Sequence, residues 1–247
     1  MSKIVSITIC CWLASSVHAD EVSIAVAANF QQPMQQIARA FEQTSGHRVI
    51  ISTGATGKLY AQIVNGAPFE VLLAADNETP ERLEKEGLAE PGRRFTYAIG
   101  RLILWSAKPN GVDTKGEILR TGDFQHLAVA NPKLAPYGRA AMETLQALGI
   151  ANQFTDRSVT GESIAQTHQF IATGNADLGF VAMSQVYEQG KLVSGSAWLV
   201  PDNLHHPIRQ DAVLLKKGND RPAAKALLQY LRADAARKII SSYGYSW

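Results

Sequence analysis

Beyond residue 11 the sequence contains no cysteine. Cys10 and Cys11 both lie in an apolar stretch, Ile4 to Ala14, near the N-terminus. No disulfide can brace the rest of the chain, and no thiolate can serve there as a nucleophile or metal ligand. No later apolar run is long enough to span a membrane as a helix. An excess of one charge is also missing. There are 24 Lys and Arg against 22 Asp and Glu, without a basic cluster, so neither nucleic acid nor anionic lipid is an expected partner. No G-x-S-x-G or H-E-x-x-H motif occurs, and Ser, His and Asp never fall at a spacing that singles out a triad. The chain is therefore not expected to be an enzyme. Nor does any motif repeat at a period of 20–50 residues.

The first 19 residues carry Lys3, the short apolar stretch and the small-residue site Val17-His18-Ala19. That is the pattern of a secretory signal peptide, with cleavage expected after Ala19. The exported chain of about 228 residues would keep 23 of the 24 basic residues and all 22 acidic ones, for a net charge near +1. It must be stabilised by its core alone, and it is long enough to form two small lobes.

What the sequence does have is a recurring unit of strand, small-residue turn and helix. In the plainest example Val49-Ile50-Ile51 leads into Ser52-Thr53-Gly54-Ala55-Thr56-Gly57-Lys58-Leu59, and then Tyr60, Ile63 and Val64 follow at helical spacing. Such a turn aims unpaired backbone N–H groups and the positive end of a helix dipole at one point. It is not a nucleotide loop, because only two residues separate Gly54 from Gly57 and Leu59 follows the Lys. Val22–Ala27 reads as a buried strand, with Ala28-Asn29 after it and a helical face of Phe30, Met34, Ile37, Ala38 and Phe41 that stops at Gly46. Taken alone, Asn29 would read as a helix cap. A third unit runs from the strand His126–Ala130 through a proline-bounded turn to Tyr137, with a helix expected from Arg139 to Leu148. A fourth runs from Val159 through Gly161-Glu162-Ser163-Ile164 into a helix ending near Thr173.

Further strands are expected at Phe69–Ala75, Phe95–Ser106 and Ala176–Met183. Gly100 interrupts the second of these, so Ala98–Gly100 is read as the passage between lobes. Short helices are expected at Pro80–Glu86 and from Ser184. Ala197–Val200 and Pro207–Lys216 are strands that could return the chain to the first lobe, and two amphipathic helices then close it. The lobes are accordingly residues 20–98 with 206–247, and 99–205. Asp76 reads best as a turn or helix cap. His205-His206 reads poorly as a metal pair, since adjacent strand residues point apart and no acidic residue stands at ligand spacing.

The alternation predicts an α/β fold with mostly parallel sheets, in which ligands bind at the carboxyl ends of strands. Four loops qualify: Ala28-Asn29, Ala55-Thr56, Tyr137-Gly138 and Ser163-Ile164. Their donors are neutral, which suits a small, fully deprotonated oxyanion. Hydrogen phosphate would bring a proton that a donor-only site leaves unpaired, at about 1–3 kcal/mol. Sulfate, molybdate and tungstate remain.

Several segments together resemble a known family. They are Ala-Ala-Asn-Phe after the first strand, Ser-Thr-Gly-Ala-Thr-Gly-Lys-Leu-Tyr-Ala-Gln-Ile, Asn-Gly-Ala-Pro-Phe-Glu-Val, Asn-Pro-Lys-Leu-Ala-Pro-Tyr-Gly and Ala-Asp-Leu-Gly-Phe-Val-Ala. The pattern is similar to the periplasmic molybdate-binding proteins of ABC transporters (ModA type), over essentially the whole exported chain. The resemblance implies a two-lobed class II periplasmic-binding-protein fold with its ligand in the interlobe cleft. It implies a monomer that takes molybdate or tungstate to a membrane permease, with no cofactor and no directly bound metal ion. It places ligand-binding groups at Ala28 (backbone), Asn29, Thr56 (hydroxyl), Tyr137 and Ile164 (backbone). Some members carry a tyrosine at the position of Ala182 and a small residue at that of Tyr137, so the hydroxyl is expected to have changed loops here. Another tetrahedral oxyanion such as sulfate is the alternative ligand. A ferric-binding protein would typically show a Tyr-Tyr pair, and a LysR-type effector domain would follow a helix-turn-helix; neither is present.

Overall fold

The computed structural model describes residues 20–247; the expected leader, Met1–Ala19 with Cys10 and Cys11, lies outside them. The chain begins with β1 (Glu21–Ala27), α1 (Gln31–Ser45), β2 (Arg48–Gly54), α2 (Thr56–Val64), β3 (Val71–Leu73), α3 (Glu78–Lys85) and β4 (Phe95–Gly100). A second region follows: β5 (Leu102–Ser106), α4 (Ile118–Thr121), β6 (Leu127–Ala130), α5 (Pro136–Ala147), β7 (Ser158–Gly161), α6 (Ile164–Ala172), β8 (Leu178–Ala182), α7 (Met183–Val186), the small hairpin β9 (Tyr187–Glu188) and β10 (Lys191–Leu192), and β11 (Ser196–Leu199). The chain then returns through β12 (Ile208–Leu214), α8 (Pro222–Leu231) and α9 (Asp234–Ser242).

Two five-stranded sheets result, in the orders β2-β1-β3-β12-β4 and β11-β5-β8-β6-β7. In the first, β1 pairs in parallel with β2 and β3, while β12 runs antiparallel to β3 and β4. In the second, β6 is parallel to β7 and β8, while β5 is antiparallel to β8 and β11. The parallel half of each sheet is made of strand–helix–strand units, where right-handed crossovers force one direction. The antiparallel halves hold the strands that carry the chain between sheets.

Each sheet is covered on both faces. Phe30, Met34, Ile37 and Phe41 from the α1 side and Leu227, Leu231 and Ile240 from α8 and α9 pack on one face of the first sheet. Leu59, Ile63 and Leu83 pack on the other. Burying a side chain of this size stabilises by roughly 1.5–3 kcal/mol, and these faces fix the helices whose N-termini matter below. In the second sheet Leu104, Val129, Leu145 and Phe154 fill one face, and Ile103, Trp105, Ile171 and Val181 the other.

The passage out of the first sheet falls at Arg101 and not within Ala98–Gly100, because Gly100 still pairs with Ile208 in the first sheet. β11 belongs to the second sheet, through its pairing with β5, so the return lies between Leu199 and Ile208. The third site helix starts at Pro136 and not Arg139. A proline at the first helical position has no N–H to lose and a φ already suited to a helix. Asn29 is not a cap but sits inside a one-turn 3-10 helix, Ala28–Phe30, leading into α1. Among the described residues no helix is long and apolar enough to cross a membrane.

Candidate functional site

The four expected loops meet between the sheets. One small cavity, with about 200 Å³ of empty space, is lined by Ala27, Ala28, Asn29, Gly54, Ala55, Thr56, Ala75, Ala135, Pro136, Tyr137 and Ile164. All five residues singled out from the sequence are in that lining. None of the lining residues carries a charge.

The helix starts around the cavity lack the usual caps. Ala27, Phe30, Ala55 and Ala135 precede the 3-10 turn, α1, α2 and α5, and none makes a side-chain capping bond. Alanine at such a position costs about 0.5–2 kcal/mol relative to Ser, Thr, Asn or Asp. The leading N–H groups of these helices also have no acceptor within the helix. Those of Ala28, Thr56 and Tyr137 are therefore left to whatever occupies the cavity. In α6 the cap is Ser163, whose Oγ accepts from Gln166 N at 3.3 Å, so the N–H of Ile164 is likewise left over. Gln185 steadies this turn by donating to the Ile164 carbonyl at 3.1 Å while its Oε1 accepts from Ala182 N at 2.9 Å. Ala182 itself is fully buried and has no polar side chain to offer.

Thr56 is 1% exposed, and its Oγ1 accepts from Ala75 N at 3.0 Å. That bond occupies a lone pair and leaves the hydroxyl proton free to donate. Tyr137 lines the same cavity from the start of α5. Its Oη accepts from Gln210 Nε2 at 3.1 Å and lies against the backbone of Gly100, where a Cβ would stand only 2.1 Å from it. A glycine is needed there for the ring to reach so far. At the start of α5 Tyr137 also brings its backbone N–H. Burial pushes the phenols of Tyr97 and Tyr137 well above their usual value and that of Tyr245 up to about 12, so all three stay protonated at ordinary pH.

The lobes are drawn together around the cavity. Gly57 N donates to Leu134 O at 2.9 Å, Ser184 Oγ donates to Asn29 O at 2.8 Å, and Lys58 pairs with Glu162 at 2.9 Å. Arg139 at the head of α5 pairs with Glu78 at 2.8 Å. A larger hollow adjoins the cavity, shares Ala75 and Pro136 with it, and carries both signs of charge in Asp76, Glu78, Arg139, Glu143 and Arg209. Asp76 accepts from Thr79 N at 2.9 Å, as a turn cap does, and burial raises its carboxyl pKa. His206 leans on Glu143 and His205 on the His206 carbonyl.

A family model described as bacterial extracellular solute-binding protein matches residues 22–246. The chain belongs to that family. It is 58% identical over 233 residues to the molybdate-binding protein ModA of Azotobacter vinelandii, covering 94% of this chain and 92% of that protein. It is 51% identical to the ModA of Rhodobacter capsulatus, over 94% and 91% of the two chains. Among solved structures, a periplasmic molybdate-binding protein of Azotobacter vinelandii superposes with a TM-score of 0.89 at 42% identity, over 92% of this chain and 99% of the other. These identities make the chain a ModA-type solute-binding protein.

Sequence reasoning missed the polar side chains behind the cavity of this ModA-type protein: Gln210, Tyr245, Ser184 and Tyr97. One signal was available. Ile208, Gln210, Ala212 and Leu214 share a strand phase, and all four are buried. A glutamine in such a row needs a polar partner inside.

Proposed function

We propose that this protein is an extracytoplasmic binding protein that captures molybdate, with tungstate as an equivalent ligand, and hands it to the permease of an ABC importer. The observation that carries this reading is the cavity lining. Four uncapped or self-capped helix starts converge on a space too small for an organic solute, with neither a cation nor a carboxylate among its walls. Helix N-termini hold anions through oriented N–H groups and the dipole. The absence of a carboxylate disfavours anions that carry a proton. The ligand groups in this reading are the backbone N–H of Ala28, Asn29, Thr56, Tyr137 and Ile164, the Thr56 hydroxyl and the Asn29 carboxamide. The ModA relatives support the molybdate assignment. Export with cleavage after Ala19 and action as a monomer complete the reading.

Size supplies the discrimination against sulfate, whose oxygens lie closer to the central atom. Donors fixed at four helix starts cannot all reach it, and each unmet contact forfeits part of a charge-assisted bond. The test is a thermal-shift panel of oxyanions on the purified chain without its leader. A ligand at a hundredfold excess over Kd stabilises by about 2.7 kcal/mol. Molybdate and tungstate should raise Tm together, and sulfate at equal concentration should not. A sulfate shift as large as that of molybdate would sink the size argument.

A further inference from the structure

The Asn29 carboxamide is turned the wrong way for an anion. Its Nδ2 donates to Gln210 Oε1 at 2.8 Å and to Tyr245 Oη at 2.9 Å, which uses both protons. Among the described residues nothing donates to its Oδ1, and that atom is not one of the buried unpaired ones. The end left for the cavity is an acceptor, and a fully deprotonated oxyanion has nothing to give it.

The cause lies one residue further back. The pairing of β12 with β4 slips between Gln210 and Asp211, and such a bulge re-aims side chains. Gln210 and Tyr97 are both fully buried beside it. Gln210 Oε1 accepts from Asn29 Nδ2 and from Tyr97 Oη at 3.0 Å, while its Nε2 donates to Tyr137 Oη. One side chain therefore touches Asn29, Tyr97 and Tyr137 and joins the first lobe to the second. The same side chains can also bond one another with both carboxamides turned over. Gln210 Nε2 then donates to Asn29 Oδ1 and to Tyr97 Oη. Tyr97 then gives its one proton to Ala74 O alone, and Tyr245, whose one proton otherwise goes to the Asn29 carbonyl or to Ser184 Oγ, donates to Asn29 Oδ1. Tyr137, which now accepts, becomes the donor to Gln210 Oε1. No proton is gained or lost and the heavy atoms keep their places; hydroxyl rotors and amide ends simply exchange roles. Only one thing changes at the cavity: Asn29 Nδ2 stands where Oδ1 stood.

We propose that Gln210 is a positioning residue that lets the Asn29 carboxamide turn its N–H toward an entering oxyanion, the two side chains reversing together. The proposal rests on the oxyanion reading of the cavity. Gln210→Glu tests it, because an ionised carboxylate only accepts and so holds Asn29 Nδ2 away from the cavity. Gln210→Met, of similar length, holds neither end and leaves Asn29 free to turn.

Affinities for molybdate and for hydrogen phosphate would be measured by titration calorimetry at pH 8 on wild type and both variants, with ligand-free melts to confirm folding. The added charge of Glu repels both anions, but the locked acceptor penalises only the one without a proton. The ratio of molybdate to hydrogen phosphate affinity should thus fall at least tenfold in Gln210→Glu and stay within threefold of wild type in Gln210→Met. Equal losses for both anions in Gln210→Glu would overturn the proposal. A second measurement does not depend on the variants folding. In wild type labelled with 15N, the side-chain amide resonances of Asn29 and Gln210 should both shift when molybdate is added. If neither moves while molybdate still raises Tm, the proposal fails and the oxyanion reading stands. If molybdate leaves the wild-type Tm unchanged, it is the oxyanion reading that fails.

Discussion

In the first lobe the cavity is met by side chains that are themselves held from behind, whereas in the second it is met by bare backbone. Thr56 is pinned by Ala75 N, and Asn29 by Gln210 and Tyr245. Opposite them, the Tyr137 hydroxyl accepts from Gln210 of the first lobe, and Ile164 has only its N–H to give. The side chains of the first half are thus held by hydrogen bonds to groups of their own lobe. The second half consists of helix starts whose donors find an acceptor only when the lobes close. The contacts between lobes beside the cavity are the backbone bond from Gly57, the Ser184 bond to the Asn29 carbonyl, the Gln210 bond to Tyr137 and two ion pairs at the rim. Affinity should therefore be most sensitive to side-chain changes in the first lobe, and release to changes at the contact between lobes.

The largest expected effect is at Thr56. Removing the hydroxyl in Thr56→Ala takes away a hydrogen bond to a charged ligand, worth about 1.5–3 kcal/mol of affinity. The structure adds a second cost. Ala75 N–H is left without its acceptor in a buried site, which should lower stability by about 1–3 kcal/mol, so the hydroxyl is not the mere loop group its sequence position suggests. Thr56→Ser keeps both bonds and should recover both losses. Calorimetric titration and a denaturant melt on the two variants check this, and unchanged affinity in Thr56→Ala would remove the hydroxyl from the ligand shell.

Next comes the contact between lobes. A Cβ at Gly57 would lie 3.2 Å from the Leu134 backbone. Gly57→Val should crowd this contact by about 1–3 kcal/mol, the usual cost of overpacking. The two partners belong to different lobes, so the penalty should fall on the closed state. Stopped-flow measurement should show faster ligand release with an unaltered melt of the ligand-free protein. A lower ligand-free Tm with an unchanged release rate would mean that the contact does not open.

The rim ion pairs should matter least to binding. Lys58–Glu162 and Arg139–Glu78 have side chains roughly half exposed, and such pairs contribute about 0–1 kcal/mol and weaken with salt. Lys58→Gln and Arg139→Gln should each change affinity less than fivefold, with the difference vanishing in high salt. A larger loss at Lys58 would show that its charge reaches the bound anion.

How much of this was legible follows from where the physics is local. The four turn-to-helix units were readable because each is a short-range pattern of a β-branched run, small residues and helical spacing, and each of the four loops contributes at least one residue to the cavity lining. The break at Arg101 was missed by one to three residues because Gly100 marks two things at once. It ends a strand, and it makes room for the Tyr137 hydroxyl. The bond between Gln210 and Tyr137 was not legible because the two are 73 residues apart and nothing near Tyr137 in sequence points to it. The missing helix caps could have been read directly: Ala55 and Ala135 stand where Ser, Thr, Asp or Asn is usual, and a helix start left open is a request for a ligand.

The smallest effect separates the lobes by pH. His168 on α6 stacks on Trp105 with ring centroids 4.9 Å apart, and burial lowers its pKa below the ordinary 6.5. The neutral ring is the form the fold accepts. Its contribution is fully present above 6.5 and is lost as pH falls through the depressed folded value. Glu70 and Asp76 in the first lobe have the opposite sign. Burial raises both carboxyls, so the stability they contribute is present at low pH and is lost as pH rises through the raised values. Acidification from pH 7 toward 5 should therefore loosen α6, and with it the Ile164 turn, while the first lobe holds. Hydrogen exchange at pH 7 and pH 5 would show this as lost protection confined to α6 and β5. His168→Phe keeps the stack without the titrating ring, and should make protection in α6 independent of pH over that range. Equal loss of protection in β1 and α1 would show that the two lobes respond to acid as one unit.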